Sequence, residues 1–457
     1  MLVFLSGCLA QPPLLKPALE EEGEIFVYLQ PFPQGAERLR FRIERVSAVR
    51  DDGAEFILPL ALSDIRGGQV KRQKFFAAGL LPPGTYTGLS CTIRSATLAG
   101  EEGETALLLP EEPARIDFPF SVEKKKALLL ALSFDYFSSV KDGFTFLPVF
   151  SAAIPGRPIP SYIGYVSNSA ANTITVFDKR AGQVTGMIAT GRGPRGIAFD
   201  PQLRKAYVAL SGEDAVAVID MALHEVITRI PLTAGDTPQE VALTPDRKTL
   251  LVVNSGSNTL SMVSTSSLFE QQRISVGNHP RSVLVDAAGK RAFVFNALSN
   301  TVSVVDIPGK TVIGTLTTET GPFRGQFNRK GDRLYIIHEW SPYLIVVDSS
   351  TFQVLKRVFV GVGVSFIKVD TLTDMIYLCR THDGTVEIYD PFSLFPGDLI
   401  RMESGVVFFT VDGEENTFYL ALPDQKVVVG LNSINKKVVS VIDVGEDPYW
   451  IAVMGER

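Results

Sequence analysis

The feature that most constrains this chain is a repeat of about 42 residues that runs through its C-terminal two thirds. A turn-forming polar residue closes one strand of each copy, at Asp178, Asp220, Ser264, Asp306, Asp348, Asp390 and Asn432. A second marker, usually proline, opens another strand with the same spacing, at Pro194, Pro238, Pro280, Pro322, Val364, Val406 and Pro448. Because two independent markers keep one period, the sequence predicts seven copies of a single structural unit.

Each copy is predicted to contain four short β-strands. In "NALSNTVSVVDIPGKTVIGTL" (296–316) a strand end leads through an Asn/Ser hairpin loop to an alternating strand, a turn and a further strand. Four strands in roughly 40–45 residues are typical of a propeller blade, which cannot bury both of its faces alone. The polar residue that ends the second strand is expected to accept hydrogen bonds from turn amides. We therefore predict a seven-bladed β-propeller over residues 162–457, closed by pairing of "PYWIAV" (448–453) beside residues 163–168.

The repeat also resembles a known family. "YVSNSAANTITVFD" (165–178) and "VVNSGSNTLSMVS" (252–264) are similar to the YVTN-type β-propeller repeat. The best-known members of that family sit in surface-layer and other exported proteins, so the resemblance implies export. Similar propellers occur in lactonase-like enzymes and in amine dehydrogenase subunits, and the fold therefore does not decide the function.

A separate β-sandwich is predicted over residues 24–152. Six β-rich runs are separated by turn-forming pairs such as Asp52-Gly53 and Asp142-Gly143, and none has a helical period. "GLLPPGTYTGLSCTI" (79–93) resembles the core of prealbumin-like modules, and the order of features is similar to a lipoprotein-associated sandwich domain of unknown function. The resemblance implies a stalk or ligand-binding spacer. Residues 153–161, rich in proline, are predicted to be the linker to the propeller.

The N-terminus resembles a bacterial lipoprotein signal. "MLVFLSGC" ends in Leu5-Ser6-Gly7-Cys8, which is similar to a lipobox, and the resemblance implies lipidation of Cys8. Residues 1–23 would then be a signal remnant followed by a flexible tether, and the protein would be anchored in the bacterial cell envelope, periplasmic or surface-exposed. A secretory signal has a basic start and a longer apolar region, so either translation begins upstream of Met1 or the resemblance is accidental.

Composition limits the partners. The net charge of −6 argues against nucleic acid as a main partner, because phosphate binding requires a positively charged face. Cys91 and Cys379 lack metal-ligand spacing, so we expect buried thiols, with an interdomain disulfide as the alternative. The four histidines are spread around the ring, and neither a metal nor a cofactor is predicted. The expected partners are the membrane, through Cys8, and a protein or small-molecule ligand.

Departures from the repeat should mark a functional site at the channel mouth. The positions that follow the proline marker are Arg195-Gly196, Gln239-Glu240, Arg281-Ser282, Phe323-Arg324, Ser365-Phe366, Val407-Phe408 and Tyr449-Trp450. Polar residues on one half-ring and aromatic residues on the other would suit a ligand with an anionic end and an apolar body. The predicted ligand-binding residues are Arg195, Glu240, Arg281, Arg324, His338, Trp340, Phe366, Phe408 and Trp450. The alternative is that the bulky side chains simply plug the channel.

These features favour a non-enzymatic binding or scaffolding protein with no catalytic residues. The alternative is a propeller enzyme acting at the channel mouth. A lactonase-like enzyme would need basic residues and a histidine, for which Arg195, Arg281, Arg324 and His338 are the candidates, but no general base stands out. A quinoprotein dehydrogenase-like enzyme would need a cofactor or a partner subunit that this chain does not encode.

Overall fold

The computed structural model describes residues 16–101 and 103–457, in which the chain forms two β domains joined by a short linker. The predicted lipidation site, Cys8, lies outside these residues. The strands of the first domain are β1 (Gly23–Leu29), β2 (Leu39–Arg50), β3 (Glu55–Leu58), β4 (Asp64–Arg66), β5 (Lys74–Leu81), β6 (Gly84–Gly100), β7 (Gly103–Ala106), β8 (Ala114–Val122), β9 (Ala127–Asp135), β10 (Val140–Lys141), β11 (Thr145–Phe146) and β12 (Val149–Ala153). Its helical segments are the four-residue helix α1 (Tyr136–Ser139) and 3-10 turns at Gln34–Arg38 and Gly67–Gln69, while further 3-10 turns follow at Pro160–Tyr162 and Pro423–Gln425.

The first domain is a sandwich of two sheets. One sheet, which we call the docking sheet, has the strand order β12-β9-β1-β5. The other contains β3-β2-β6-β7, with β4 and β8 paired to β2 and β6. Alternate residues of a strand point to opposite faces. Accordingly, Ile25 and Val27 of β1 lie in the sandwich core, whereas Phe26 and Tyr28 lie in a cluster shared with the propeller.

The six predicted strands of this domain are present, and the structure adds strands that the sequence pattern did not reveal. The longest of these added strands is β5. Its sequence, "KFFAAGLL", lacks the alternation of a half-exposed strand because residues on both of its faces are covered. Strand β12 runs to Ala153, so it includes the first residue of the predicted linker.

The second domain consists of four-stranded antiparallel sheets that follow the repeat. Sheet 1 contains β13 (Ile163–Asn168), β14 (Thr173–Asp178), β15 (Gln183–Ala189) and β40 (Pro448–Val453). Sheet 2 contains β16 (Pro194–Asp200), β17 (Lys205–Leu210), β18 (Ala215–Asp220) and β19 (Glu225–Pro231), and sheet 3 contains β20 (Pro238–Leu243), β21 (Thr249–Asn254), β22 (Thr259–Ser264) and β23 (Glu270–Ser275). Sheet 4 contains β24 (Pro280–Val285), β25 (Arg291–Asn296), β26 (Thr301–Asp306) and β27 (Thr311–Thr317), and sheet 5 contains β28 (Pro322–Phe327), β29 (Arg333–His338), β30 (Tyr343–Asp348) and β31 (Val354–Phe359). Sheet 6 contains β32 (Val364–Val369), β33 (Ile376–Arg380), β34 (Thr385–Tyr389) and β35 (Pro396–Arg401), and sheet 7 contains β36 (Phe408–Asp412), β37 (Thr417–Leu422), β38 (Val427–Asn432) and β39 (Val438–Asp443).

The sheets are arranged as a β-propeller. The first strand of each sheet contacts the first strand of the next, from β16 to β36, and β40 contacts both β36 and β16. Strand β40 pairs antiparallel with β13, with Tyr165 opposite Ala452, so the predicted pairing of the C-terminal strand is confirmed. The role predicted for the turn residues is also confirmed, because the Asp178 carboxylate accepts hydrogen bonds from the amides of Arg180 and Ala181, both at 2.8 Å.

A buried ion pair connects sheets 1 and 7, where the propeller ring closes. Lys179 follows β14 in sheet 1, and its Nζ lies 2.7 Å from the carboxylate of Asp412 at the end of β36 in sheet 7. Both side chains are fully buried, and the Lys179 ammonium also donates to the carbonyl of Met454, just after β40. The pair therefore joins the three segments that meet where the ring closes.

The sandwich is docked on the outside of the same closure. Asp443, at the end of β39, accepts a hydrogen bond at 3.0 Å from the amide of Phe75 and forms an ion pair with Arg72. Gln73 of the same loop forms two hydrogen bonds with the backbone of Val184 in β15, at 2.7 and 3.1 Å. One edge of the first domain therefore contacts both sheet 7 and sheet 1.

Two further findings concern membrane spans and thiols. Among residues 16–101 and 103–457 no helix has the length and hydropathy of a membrane span. Cys91 and Cys379 are buried free thiols in different domains, as expected, and the interdomain disulfide considered as an alternative is not formed.

Candidate functional site

The propeller places the starts of its innermost strands on one face, which we call the mouth face. Because adjacent strands are antiparallel, the hairpins between the second and third strands of each sheet lie on that face too. The residues that follow the proline marker therefore project toward the mouth of the central channel, and hairpin residues such as Glu339 and His382 surround it.

A pocket of about 380 Å³ opens at this mouth. Of the predicted site residues, Arg281, Arg324, Phe366, Phe408 and Trp450 line it. The structure therefore brings together the two predicted half-rings, one carrying arginines and the other aromatic rings.

Three of the residues that line the pocket, Phe366, Phe408 and Trp450, pack their rings together, and we call this group the aromatic floor. The ring of Phe408 lies between those of Phe366 and Trp450, with centroid separations of 4.3 and 4.6 Å. Phe366 and Phe408 are each only 3% exposed. The bulky side chains therefore pack against one another and still line an open pocket.

Arg324 is held inside this aromatic group by Glu240. Its guanidinium lies 4.7 Å from the ring centroid of Phe366 and 4.9 Å from that of Trp450, and 2.6 Å from the Glu240 carboxylate. Burial raises the pKa of Glu240, while the charge and hydrogen bond of Arg324 act in the opposite direction. The charge of Arg324 is thus balanced within the protein, and Glu240 lies behind the pocket rather than on its wall.

Arg195 is similarly engaged and does not line the pocket. It donates to Gln239 at 2.8 Å and to Ser211 at 3.2 Å, and its guanidinium lies 4.8 Å from the ring centroid of Tyr449. Its role here is to support Tyr449, which does line the pocket.

Arg281 is the cation best placed to meet a ligand. Within the described residues it forms no ion pair, and its Nη1 lies 3.3 Å from Nε2 of His279. Burial, and then the charge of Arg281, lower the pKa of His279, so this histidine is neutral near pH 7 and leaves the positive charge of Arg281 unshared.

The sequence prediction missed two charged or titratable residues of the rim, Glu339 and His382. Both lie in hairpins whose sequences, "HEWSPY" and "RTHDGT", depart from the Asn/Ser/Gly pattern of the other copies. His382 is packed close to Gly363, where an added Cβ would lie 3.0 Å from its ring. The loss of the repeat pattern could have identified these positions.

His338 and Trp340, which the sequence also predicts as ligand-binding residues, are not among the residues that line this pocket. His338 takes the place of Asn254 and Asn296, whose side-chain amides hold the hairpin by donating to hydroxyl groups. His338 likewise holds the hairpin, because its Nδ1 donates a hydrogen bond to the Tyr343 carbonyl at 2.9 Å. Burial lowers the pKa of His338 to about 4. Trp340 packs against Gly321 and is half exposed.

The described residues contain no group of three or more His, Cys, Asp or Glu side chains placed to hold a metal ion. Within the part of the chain that the structure describes, the mouth presents an aromatic surface, the guanidinium of Arg281 without an ion pair, and a rim that includes Glu339 and His382. Such a site can stack against a flat apolar group and bind an anionic substituent beside it.

Comparisons with known proteins agree with this architecture. Residues 170–375, a little under half of the chain, match the family model of the YNCE-like β-propellers. No curated protein matches the chain in sequence.

Several solved structures are similar in fold. Hydrazine synthase from Kuenenia stuttgartiensis is 18% identical with a TM-score of 0.54, and the match covers 62% of this chain and 96% of that one. A functionally unknown protein from Desulfotomaculum acetoxidans is 14% identical with a TM-score of 0.56, and the match covers 64% and 98%. A dihydro-heme d1 dehydrogenase is 13% identical with a TM-score of 0.52, and the match covers 66% and 78%. At these identities the likeness concerns the fold alone, and it shows that the second domain is a β-propeller.

Proposed function

We propose that this protein is a non-enzymatic binding protein that captures a small ligand at the mouth of its propeller. The observation that carries the proposal is the pocket in which Phe366, Phe408 and Trp450 form an aromatic floor beside Arg281, which has no ion pair among the described residues. Arg324 and Glu240 neutralise each other, so they shape the floor without competing for a ligand's charge. The preferred ligand is a flat apolar molecule that carries one anionic group.

We further propose that the protein is exported and anchored in the bacterial cell envelope through a lipid on Cys8. The lipobox-like sequence and the resemblances to YVTN-type repeats and to a prealbumin-like, lipoprotein-associated domain support this proposal. Mass spectrometry of the mature protein tests it: Cys8 should be the first residue and carry acyl chains, and an unmodified Cys8 would contradict it.

The alternative is an enzyme acting at the same pocket. Two of the structurally similar proteins are enzymes, and His382 and Glu339 are titratable groups on the pocket rim. In this alternative the rim would act on a ligand that the aromatic floor holds.

A retention experiment separates the two functions. The purified chain is incubated with a small-molecule extract of bacterial cells, and the retained compounds are identified by mass spectrometry. We expect acidic, flat molecules to be retained unchanged, and to be retained about tenfold less by Arg281→Ala, because a lost charged hydrogen bond is worth about 1.5–3 kcal/mol. The matched control is Arg401→Ala, which removes an exposed arginine of an outer strand. Equal retention by all three proteins would contradict the binding site, and conversion of a retained compound over time would favour the enzyme.

A further inference from the structure

A second cavity, which we call the interdomain cleft, lies between the sandwich and the propeller. Its volume is about 400 Å³. One wall is the hairpin between β8 and β9 together with the linker, and the other is formed by β15 and by the turn between β18 and β19. The cleft is on the outer side of sheets 1 and 2, whereas the mouth pocket is at the central channel, so the two cavities are distinct.

The cleft has an apolar interior and an apolar rim. Leu129 and Met187 line its interior and are 4% and 5% exposed. Ile154 and Leu223 stand at its edge and are 55% and 46% exposed, so they leave apolar surface in contact with water. Covering these two side chains with an apolar group would be favourable, at about 25 cal/mol for each Å² removed from water.

The charges that line the cleft are mostly positive. Its charged residues are Lys124, Lys125, Lys126, Arg157, Glu225 and Arg229. Three of the cations are already paired: Lys124 with Glu21, Lys126 with Glu123 and Glu225, and Arg229 with Glu213.

The remaining two cations, Lys125 and Arg157, have no ion pair in the part of the chain that the structure describes. They come from different segments, the hairpin tip and the linker, and meet at the same cavity. Two uncompensated positive charges beside an apolar interior provide the two features that an anionic amphiphile requires.

His224 adds a neutral polar group to this wall. Its Nδ1 lies 2.8 Å from the Tyr165 hydroxyl, which fixes the ring against the propeller. Burial, followed by the charge of Arg157, lowers the pKa of His224 to about 4, so the ring is neutral near pH 7 and can donate a single hydrogen bond. His224 lies in the turn between β18 and β19, where its backbone is left-handed with a φ of 55°.

We propose that the interdomain cleft is a second ligand site, which binds a small amphiphile with one carboxylate or phosphate head group and a short apolar body. The head group lies between Lys125 and Arg157, and the body covers Ile154, Leu223 and the apolar interior. Because the site is shared by both domains, its occupant strengthens their docking. This site is independent of the one at the channel mouth.

Photo-crosslinking tests the proposal with defined probes. The full chain is irradiated with a diazirine-bearing decanoic acid, and labelled peptides are mapped by mass spectrometry. We expect labelling within residues 124–129, 154–157 and 223–226, with competition by octanoate and octyl phosphate but not by octanol. The octanoate and octyl phosphate arms determine which head group is preferred.

Variants then decide whether the charges act as proposed. Arg157→Ala and Lys125→Ala should each lower cleft labelling about tenfold, since each removes a charged hydrogen bond to the head group. Leu223→Ser should lower it by weakening apolar contact, whereas Arg401→Ala should leave it unchanged. All of these side chains are exposed, so the melting temperature should stay the same. The proposal would be overturned by labelling that is absent from the cleft, by equal cleft labelling of Arg157→Ala and the wild type, or by competition from octanol as strong as that from octanoate. Labelled peptides at the channel mouth do not count toward cleft labelling.

Discussion

Replacing Lys179 by methionine is expected to lower the free energy of unfolding by about 3–5 kcal/mol, because it leaves the Asp412 carboxylate buried without its counter-charge. The two groups are 2.7 Å apart and fully buried. Methionine is the natural residue at the corresponding position of sheet 2, Met221, so the change suits the local backbone. Urea unfolding followed by circular dichroism measures the effect.

The matched control is Lys426→Met, which breaks a Lys–Glu pair in which both side chains are more than half exposed. Its effect should be below about 1 kcal/mol, as for other surface pairs. Adding Asp412→Asn to Lys179→Met should recover part of the loss, since asparagine is neutral and occurs at the equivalent Asn328. If Lys179→Met and Lys426→Met were equally mild, the buried pair would not be what fastens the ring.

Arg324→Ala is expected to cost about 3–5 kcal/mol as well, because Glu240 would remain buried beside the aromatic floor without a partner. The floor itself would also lose the guanidinium that lies between Phe366 and Trp450. The double variant Arg324→Met/Glu240→Leu removes both charges, and we expect it to be closer to the wild type than Arg324→Ala is.

Arg357→Ala is the control for this prediction. Arg357 also pairs with a glutamate, Glu319, and lies over an aromatic ring, that of Tyr343, but its side chain is 55% exposed. Its loss should cost less than about 1 kcal/mol. A double variant as unstable as Arg324→Ala would mean that the charge balance between Arg324 and Glu240 is not the source of the stability.

The architecture could be predicted from the sequence because the repeat dictates it. A fixed period of turn residues and strand-opening prolines specifies the sheets, and the phase of the array specifies that β40 must pair with β13. The hydrogen bonds of Asp178 and its equivalents followed from the chemistry of the residue in a turn. Such features are local, or they recur in every copy.

The contents of the site could be predicted only in part. Positions defined by the repeat period, such as Arg281 and Trp450, do line the pocket. His338 is predicted from its residue type alone; it replaces a structural asparagine and bonds to the Tyr343 carbonyl instead. Pairings across the ring, such as that of Arg324 with Glu240, depend on distances between sheets that no sequence pattern encodes. Lys179 departs from its equivalents and could have been noticed, but its partner could not have been identified.

The contact between the sandwich and the propeller also could not be predicted from the sequence. The resemblance to stalk-like modules gave no reason to place Gln73 and Phe75 against the ring closure. The apolar residues of β1 on both faces were the available indication, since a strand of a free-standing sandwich would alternate.

The most direct test of the binding function is the fluorescence of Trp450. The chain has two tryptophans, so Trp340→Phe leaves Trp450 in the pocket floor as the single reporter. We predict that phenylacetate changes its emission saturably, that phenylacetamide binds about tenfold more weakly, and that Arg281→Ala removes this difference. The reciprocal variant, Trp450→Phe, should show no saturable response. A response that does not saturate, or the same affinity for the acid and the amide, would contradict a ligand site at the channel mouth.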